Sequence, residues 1–474
     1  MITNRFRRVE RDITTAPQAP VTLAAELPTG RNPEAVLLGF AVTITGVALI
    51  IVEANQEQGL PWDLLGYTAA FALVLLGAHL AIRRYAPYAD PVLLPVVALL
   101  NGLGLVLIHR LDLVPGGSDG PGAAQQMLWT FAGVVLFGLT LLLVPDHRML
   151  AGYSYICGAS GLVLLAIPAL LPASISEVNG AKNWIRFPGF SIQPAEFSKI
   201  LLLIFFAGFL VSKRYLFASA GTHFLGLNLP RPRDLAPLLV AWIVSVGVMV
   251  FEQDLGYSLL LYASFLVVVY TATGRFSWVA IGLSLFAAAS VVAYHLFGHV
   301  QERIRIWIHP FADPEGEGYQ MVQSKFSFAT GGVFGTGLGN GQPGTVPEAS
   351  TDFITAVVGE ELGLVGLAGV LLLYTIFIMR GLRTAIAVRD SFGKLLAAGL
   401  AATLAIQLFI VVGGVTGLIP LTGLTTPWLS YGGSSLVANY LLLALLVRIS
   451  NAARRPIRPS TPIAGARTEI LGRA

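Results

Sequence analysis

Apolar runs of near-constant length dominate the chain, and short polar stretches between them carry most of its charge. The runs fall at about 35–53, 64–82, 91–108, 126–145, 150–172, 194–212, 235–251, 255–273, 278–297, 353–379, 394–418 and 434–450. Each is close to the ~20 residues a helix needs to cross ~30 Å of hydrocarbon. The pattern predicts an all-α, polytopic membrane helical bundle of about twelve transmembrane helices. Its weakest division lies between 235–251 and 255–273, where Glu252, Gln253 and Asp254 separate two short halves. That stretch also reads as one broken element.

Composition removes the alternative of a water-soluble fold. Of 474 residues, 55% are hydrophobic and 12% charged, against about 25% charged in a soluble domain. Mean hydropathy is +0.73. Basic residues then orient the bundle. With a cytoplasmic N-terminus, the inner loops hold Arg83, Arg84, Arg148, Lys213, Arg214, Arg231, Arg233, Arg275, Arg380, Arg383 and Arg389. The outer loops hold only Arg110, Lys182, Arg186, Arg303, Arg305 and Lys325. This asymmetry follows the positive-inside rule and requires an even number of helices, which puts both termini in the cytoplasm. The net charge of +4 is spread over these loops and tails and does not point to nucleic acid. The first 34 residues are polar and basic, with no cleavable signal peptide visible. The single Cys157 sits inside a run, which excludes an internal disulfide or a cysteine-based metal site.

The chain divides into a basic N-terminal tail (1–34), two helices at 35–90, a core at 91–450 and a basic C-terminal tail (451–474). There is no internal repeat and no matched pair of interrupted helices of the kind inverted-repeat transporters carry. Two outer, extracytoplasmic loops stand out, at about 173–193 and 298–352. They carry Trp184, Trp307, Phe311 and Tyr319 and are expected to fold over the outer surface, where any chemistry should sit.

Ionisable groups at membrane depth are costly and mark function by default. Glu196 and Lys199, three apart, share one helix face; they either satisfy each other or line a polar headgroup site. Glu252 and Asp254 form a second cluster, read as a helix break or a site. Asp352, Glu360 and Glu361 form a third, partly explained by helix N-terminal capping. In the large outer loop, Asp313 lies among aromatics with Arg303 and Arg305 nearby, although an Asp-Pro is by itself an ordinary turn. The segment GGVFGTGLGNG lacks the ending of a phosphate loop. His309 can serve as a base, but the seven His residues make no zinc-ligand spacing, and no GxSxG elbow is present.

Four segments then resemble the SEDS family of RodA, FtsW and SpoVE: NGAKNWI with QPAEFSK (Asn179 to Lys199), EQDLGYS (Glu252 to Ser258), DPEGEGYQMVQS running through PEASTDF and GEELGLVG (Asp313 to Gly366), and LIPLTGLTTPWLSYGGSS (Leu418 to Ser435). The arrangement looks closer to the RodA elongation branch. The resemblance implies a peptidoglycan glycosyltransferase of the bacterial cytoplasmic membrane. Such an enzyme polymerises lipid II on the outer face for cell elongation and shape, beside a class B penicillin-binding protein that cross-links the strands. It implies that Asp313 matches the family's essential outer-loop aspartate, and that Glu196 and Lys199 match its essential Glu and Lys. Two departures stand out: Gln253 and Tyr257 occupy proline and threonine positions of the family pattern, and Ser350 stands where His is usual. Two extra helices precede the family's ten.

The implied reaction is attack of a GlcNAc 4-hydroxyl on an anomeric MurNAc carbon, with undecaprenyl pyrophosphate leaving. One base (Asp313) and cations for the pyrophosphate suffice. Lys199 and Arg186 are assigned to the pyrophosphate, with Glu196 holding Lys199 and with Lys182, Arg303 and Arg305 as further cations. Glu252, Asp254 and Asp352 are candidate substrate contacts. No metal site is expected in the protein itself, while a divalent cation (Mg or Mn) bridging the pyrophosphate is compatible with this chemistry. The competing readings are a lipid II flippase and a scaffold for the transpeptidase.

Overall fold

The computed structural model describes residues 31–56, 62–114, 122–177, 181–187, 190–213, 222–224, 227–229, 239–240, 242–245, 247 and 254–456. Apart from the single turns Met149–Gly152 and Ala173–Ser176, the helices in chain order are α1 (Asn32–Asn55), α2 (Trp62–Tyr85), α3 (Leu93–Asp112), α4 (Ala123–Leu143), α5 (Ser154–Leu170), α6 (Pro194–Ser212), α7 (Leu255–Thr273), α8 (Phe276–Leu296), α9 (Gly298–Ile308), α10 (Tyr319–Gly331), α11 (Ile354–Glu361), α12 (Gly363–Ala387), α13 (Ser391–Thr416) and α14 (Gly433–Arg454). Two antiparallel hairpins accompany them: β1 (Ile185–Phe187) with β2 (Phe190–Ile192), and β3 (Thr222–Phe224) with β4 (Leu227–Leu229). All the helices except α5, α9, α10 and α11 are long and apolar enough to cross a membrane, ten among the described residues. Helix α5 fills the expected run at 150–172 with only 17 residues. The expected run at 235–251 lies largely outside the described residues, as does Glu252.

Local chemistry sets the helix ends. Proline at the first turn of α1 and α6 forgoes a backbone N–H that no helical carbonyl would meet. The carboxylates of Asp254 and Asp390 cap α7 and α13, accepting from Tyr257 N at 3.0 Å and Gly393 N at 2.7 Å. Helices α3, α6, α13 and α14 are mostly buried and form the centre of the bundle. Helix α14 packs on α4, α6 on α5, and α7 on α13. Helices α1 and α2 pack against each other, with α1 also on α3, while α8 is almost wholly exposed. The outward faces of α1, α2, α4 and α8 carry large apolar side chains, which suits a surface bathed in lipid.

One expected span is two helices. The run at 353–379 breaks at Gly363, whose φ of +69° ends α11 and redirects the chain into α12. Glu360 and Glu361 therefore close the C-terminal end of α11, and the expected N-terminal capping role is wrong. A carboxylate there opposes the helix dipole, so these two persist through other partners. The Arg110 Nε donates to Glu361 at 3.2 Å, and the Ser327 hydroxyl and the Gln342 N–H donate to Glu360 at 2.9 and 2.6 Å.

Candidate active site

The hairpin β1–β2, the amphipathic α9, the start of α10, the 348–352 stretch and the 421–433 stretch converge at one end of the bundle. They enclose a cavity of about 990 Å³. Its wall is aromatic on one side. Phe187 and Phe190 stack with centroids 5.0 Å apart, and Trp129 meets Phe190 edge-on at 6.4 Å. Trp184, Trp307 and Tyr431 also line it. Two arginines face the same space. Arg186 is exposed in the cavity and makes no ion pair among the described residues. Arg303 donates to the Leu421 carbonyl at 3.1 Å, and its charge reaches both Asp254 and Asp352.

The carboxylates divide by environment. Asp254 is tied down: besides capping α7 it accepts from Asn183 Nδ2 at 2.7 Å, while burial raises its pKa. Asp352 lies in the cavity wall. Burial, reinforced by the nearby Glu348 carboxylate, pushes its pKa up to about 7, with Arg303 pulling the other way. A group titrating near neutral pH inside a polar cavity is a functional-site signal. Glu348 adds a second one. It is a non-glycine residue with φ of +53° in that wall, a conformation that costs ~1–3 kcal/mol and gathers at functional sites.

Glu196 and Lys199 do not line the cavity. They lie beneath its floor, 0% and 2% exposed, with Lys199 Nζ 2.5 Å from Glu196 Oε2 and 3.0 Å from Gln407 Oε1. Tyr257 joins them to the cavity: it lines the wall while its hydroxyl donates to Glu196. Positions 196 and 199 therefore face away from the cavity, toward α7 and α13, where Tyr257 and Gln407 meet them. Tyr257, dismissed in the sequence as a departure, and Gln407 were missed. A glutamine within the apolar run of α13 is the signal that marks the latter.

Asp313 stands beside the mouth, exposed. Its carboxylate accepts from the N–H groups of Gly316 at 3.1 Å and Glu317 at 3.2 Å. Glu317, not Asp313, is in the lining, and Arg305 ion-pairs with Glu317. Lys182 is next to two lining residues, Ala181 and Asn183, without being in the lining itself. Among the described residues no cluster of three or more His, Cys, Asp or Glu forms a metal site.

A bundle of membrane-length helices, closed at one end by folded loops over a polar and aromatic cavity, defines a polytopic membrane protein. The chain belongs to the FtsW/RodA/SpoVE family of cell cycle proteins, whose model matches residues 91–455. It is 69% identical over 468 residues to the peptidoglycan glycosyltransferase RodA of Mycobacterium tuberculosis, covering 97% of this chain and all of the relative. It is 34% identical to a probable peptidoglycan glycosyltransferase FtsW of Trichlorobacter lovleyi, over 77% of this chain and 94% of that one. These identities put it on the RodA branch. A solved structure reported as the structural coordination of polymerization and crosslinking by a peptidoglycan synthase complex matches with a TM-score of 0.53 and 27% identity, over 81% of this chain and 97% of that one.

Proposed function

We propose that the chain is a peptidoglycan glycosyltransferase that polymerises lipid II on the outer face of the cytoplasmic membrane, for cell elongation and shape. The cavity is the observation that carries this reading. Sugars stack on aromatic faces, a pyrophosphate needs cations, and sugar hydroxyls need carboxylate partners; one space holds all three, with Asp313 beside its mouth to serve as base. The 4-hydroxyl of the acceptor GlcNAc attacks the anomeric carbon of the donor MurNAc. The bond to the pyrophosphate oxygen breaks, and the undecaprenyl pyrophosphate leaves with that electron pair. The hydroxyl proton passes to Asp313 at the mouth, and an α-linked donor gives a β-1,4 product.

Arg186 and Arg303 neutralise the leaving pyrophosphate, so its departure needs no proton. Asp352 and Asp254 hold sugar hydroxyls. Glu196 and Lys199 act from below through Tyr257, keeping the floor charged but sealed. A Mg or Mn ion would be carried in on the pyrophosphate. The prenyl tail lies in the surrounding membrane lipid. The termini face the cytoplasm, and a class B penicillin-binding protein cross-links the emerging strands.

The test is polymer formation. The purified protein with its transpeptidase converts labelled lipid II to a glycan ladder, and Asp313→Ala lowers the rate at least ~100-fold while still binding the partner. Equal polymer from both would move the base to Asp352. No polymer from either, with the transpeptidase active, would favour a flippase instead.

A further inference from the structure

Helices α1 and α2 precede the segment that the family model matches. The contacts at the cavity end of α1 fall on one target. Asn55 Nδ2 donates to the Leu338 carbonyl at 2.6 Å and Gln56 Nε2 to the Gly339 carbonyl at 2.5 Å. Gly339, at φ +87°, lies so close that a Cβ there would stand 3.0 Å from Asn55 Cβ and 3.1 Å from the Val52 carbonyl. Just beside this contact, Glu53 in α1 accepts from His109 Nε2 at 2.7 Å. The next residue, Arg110, donates to the Gly341 carbonyl at 2.9 Å. The glycine-rich loop is thus gripped at three positions, 338 and 339 from the end of α1 and 341 from α3.

From that loop the chain runs without a free stretch into the cavity wall. Gln342 N donates to Glu360 at 2.6 Å, Pro343–Thr345 makes a tight turn, and Val346 and Ala349 are buried between it and the wall residues Glu348 and Asp352. The far side is anchored as well, by Tyr431 N to the Ser350 carbonyl at 2.7 Å. A segment held at both ends by hydrogen bonds transmits a displacement of one end to the residues between.

We propose that the first N-terminal helix, α1, is a brace. Asn55 and Gln56 are positioning residues that hold the 336–342 loop so that Glu348 and Asp352 keep their place in the cavity wall. The effect on polymerisation rests on the glycosyltransferase reading; the brace itself does not. The test uses the full-length chain with its transpeptidase. The variants are Asn55→Ala/Gln56→Ala and the near-isosteric Asn55→Asp/Gln56→Glu, which keeps volume but removes the amide donors. Two things are measured: amide hydrogen exchange across 336–352, and kcat and KM for labelled lipid II.

The expected result is faster exchange confined to 336–352 in both variants, unchanged exchange in α3 and α14, and about a tenfold loss of kcat. Unchanged exchange at 336–352 overturns the brace. Faster exchange with unchanged kcat and KM overturns the positioning role. Faster exchange spread through α3 and α14 also overturns it, since the residues would then support the whole bundle. If the wild type makes no polymer, the glycosyltransferase reading fails, and the exchange result still decides the brace.

Discussion

Asp352 is a carboxyl whose surroundings work against its charge. Its pKa in the folded chain is about 7 against an ordinary 3.8, because it is enclosed and shares its corner with Glu348. The raised value fixes the sign. The folded state binds the proton more tightly than the unfolded chain, so this group favours folding below about pH 4, and that contribution is lost as pH rises toward 7. Asp352→Asn, which resembles the neutral acid, is expected to melt at a higher temperature than the wild type at pH 8 and at the same temperature at pH 4. A shift of equal size at both would mean that the carboxyl is solvated. The same variant should lose activity, since the charge that costs stability is the one offered to substrate. At this scale the sequence was partly legible. Glu196 and Lys199 announce themselves as charges within an apolar run, but their third partner, Gln407, lies 208 residues from Lys199, and no local pattern connects them.

The break between α11 and α12 is the element on which the cavity end depends. Gly363 combines φ +69° with a close approach: a Cβ there would lie 2.3 Å from Gly335 N. Gly363→Ala is expected to cost ~1–3 kcal/mol through backbone strain and overpacking. Gly369→Ala, in the same helix with nothing within 4 Å of an added Cβ, should be neutral or slightly stabilising. Thermal unfolding of the two variants beside the wild type checks this, and equal melting temperatures would remove the strained turn from the account. Hydropathy merged α11 with α12 because both are apolar. It could not register that one glycine in a left-handed conformation turns a single run into two helices.

For the whole molecule, the orientation can be measured. In a Cys157→Ser background, Glu315→Cys on the exposed cavity-end loop should react with a membrane-impermeant maleimide on intact cells. Arg389→Cys, exposed at the turn between α12 and α13, should react only after permeabilisation. Labelling of Arg389→Cys on intact cells without Glu315→Cys would invert the topology and put the cavity in the cytoplasm.

Embedding in a membrane, the lengths and order of most helices and the charge asymmetry of the stretches between them were all determined by the sequence itself. Each depends on which residues follow one another along the chain, not on which ones meet in space. The tertiary structure decided which charges share the cavity and which lie under its floor, and that α1 and α3 grip the loop at 338–341. Those outcomes rest on pairs such as Lys199 with Gln407, Arg110 with Glu361 and Asn55 with Leu338. Such pairs meet only because helices far apart in the chain pack at particular angles and depths, and a one-dimensional pattern of apolar and polar residues does not encode that geometry.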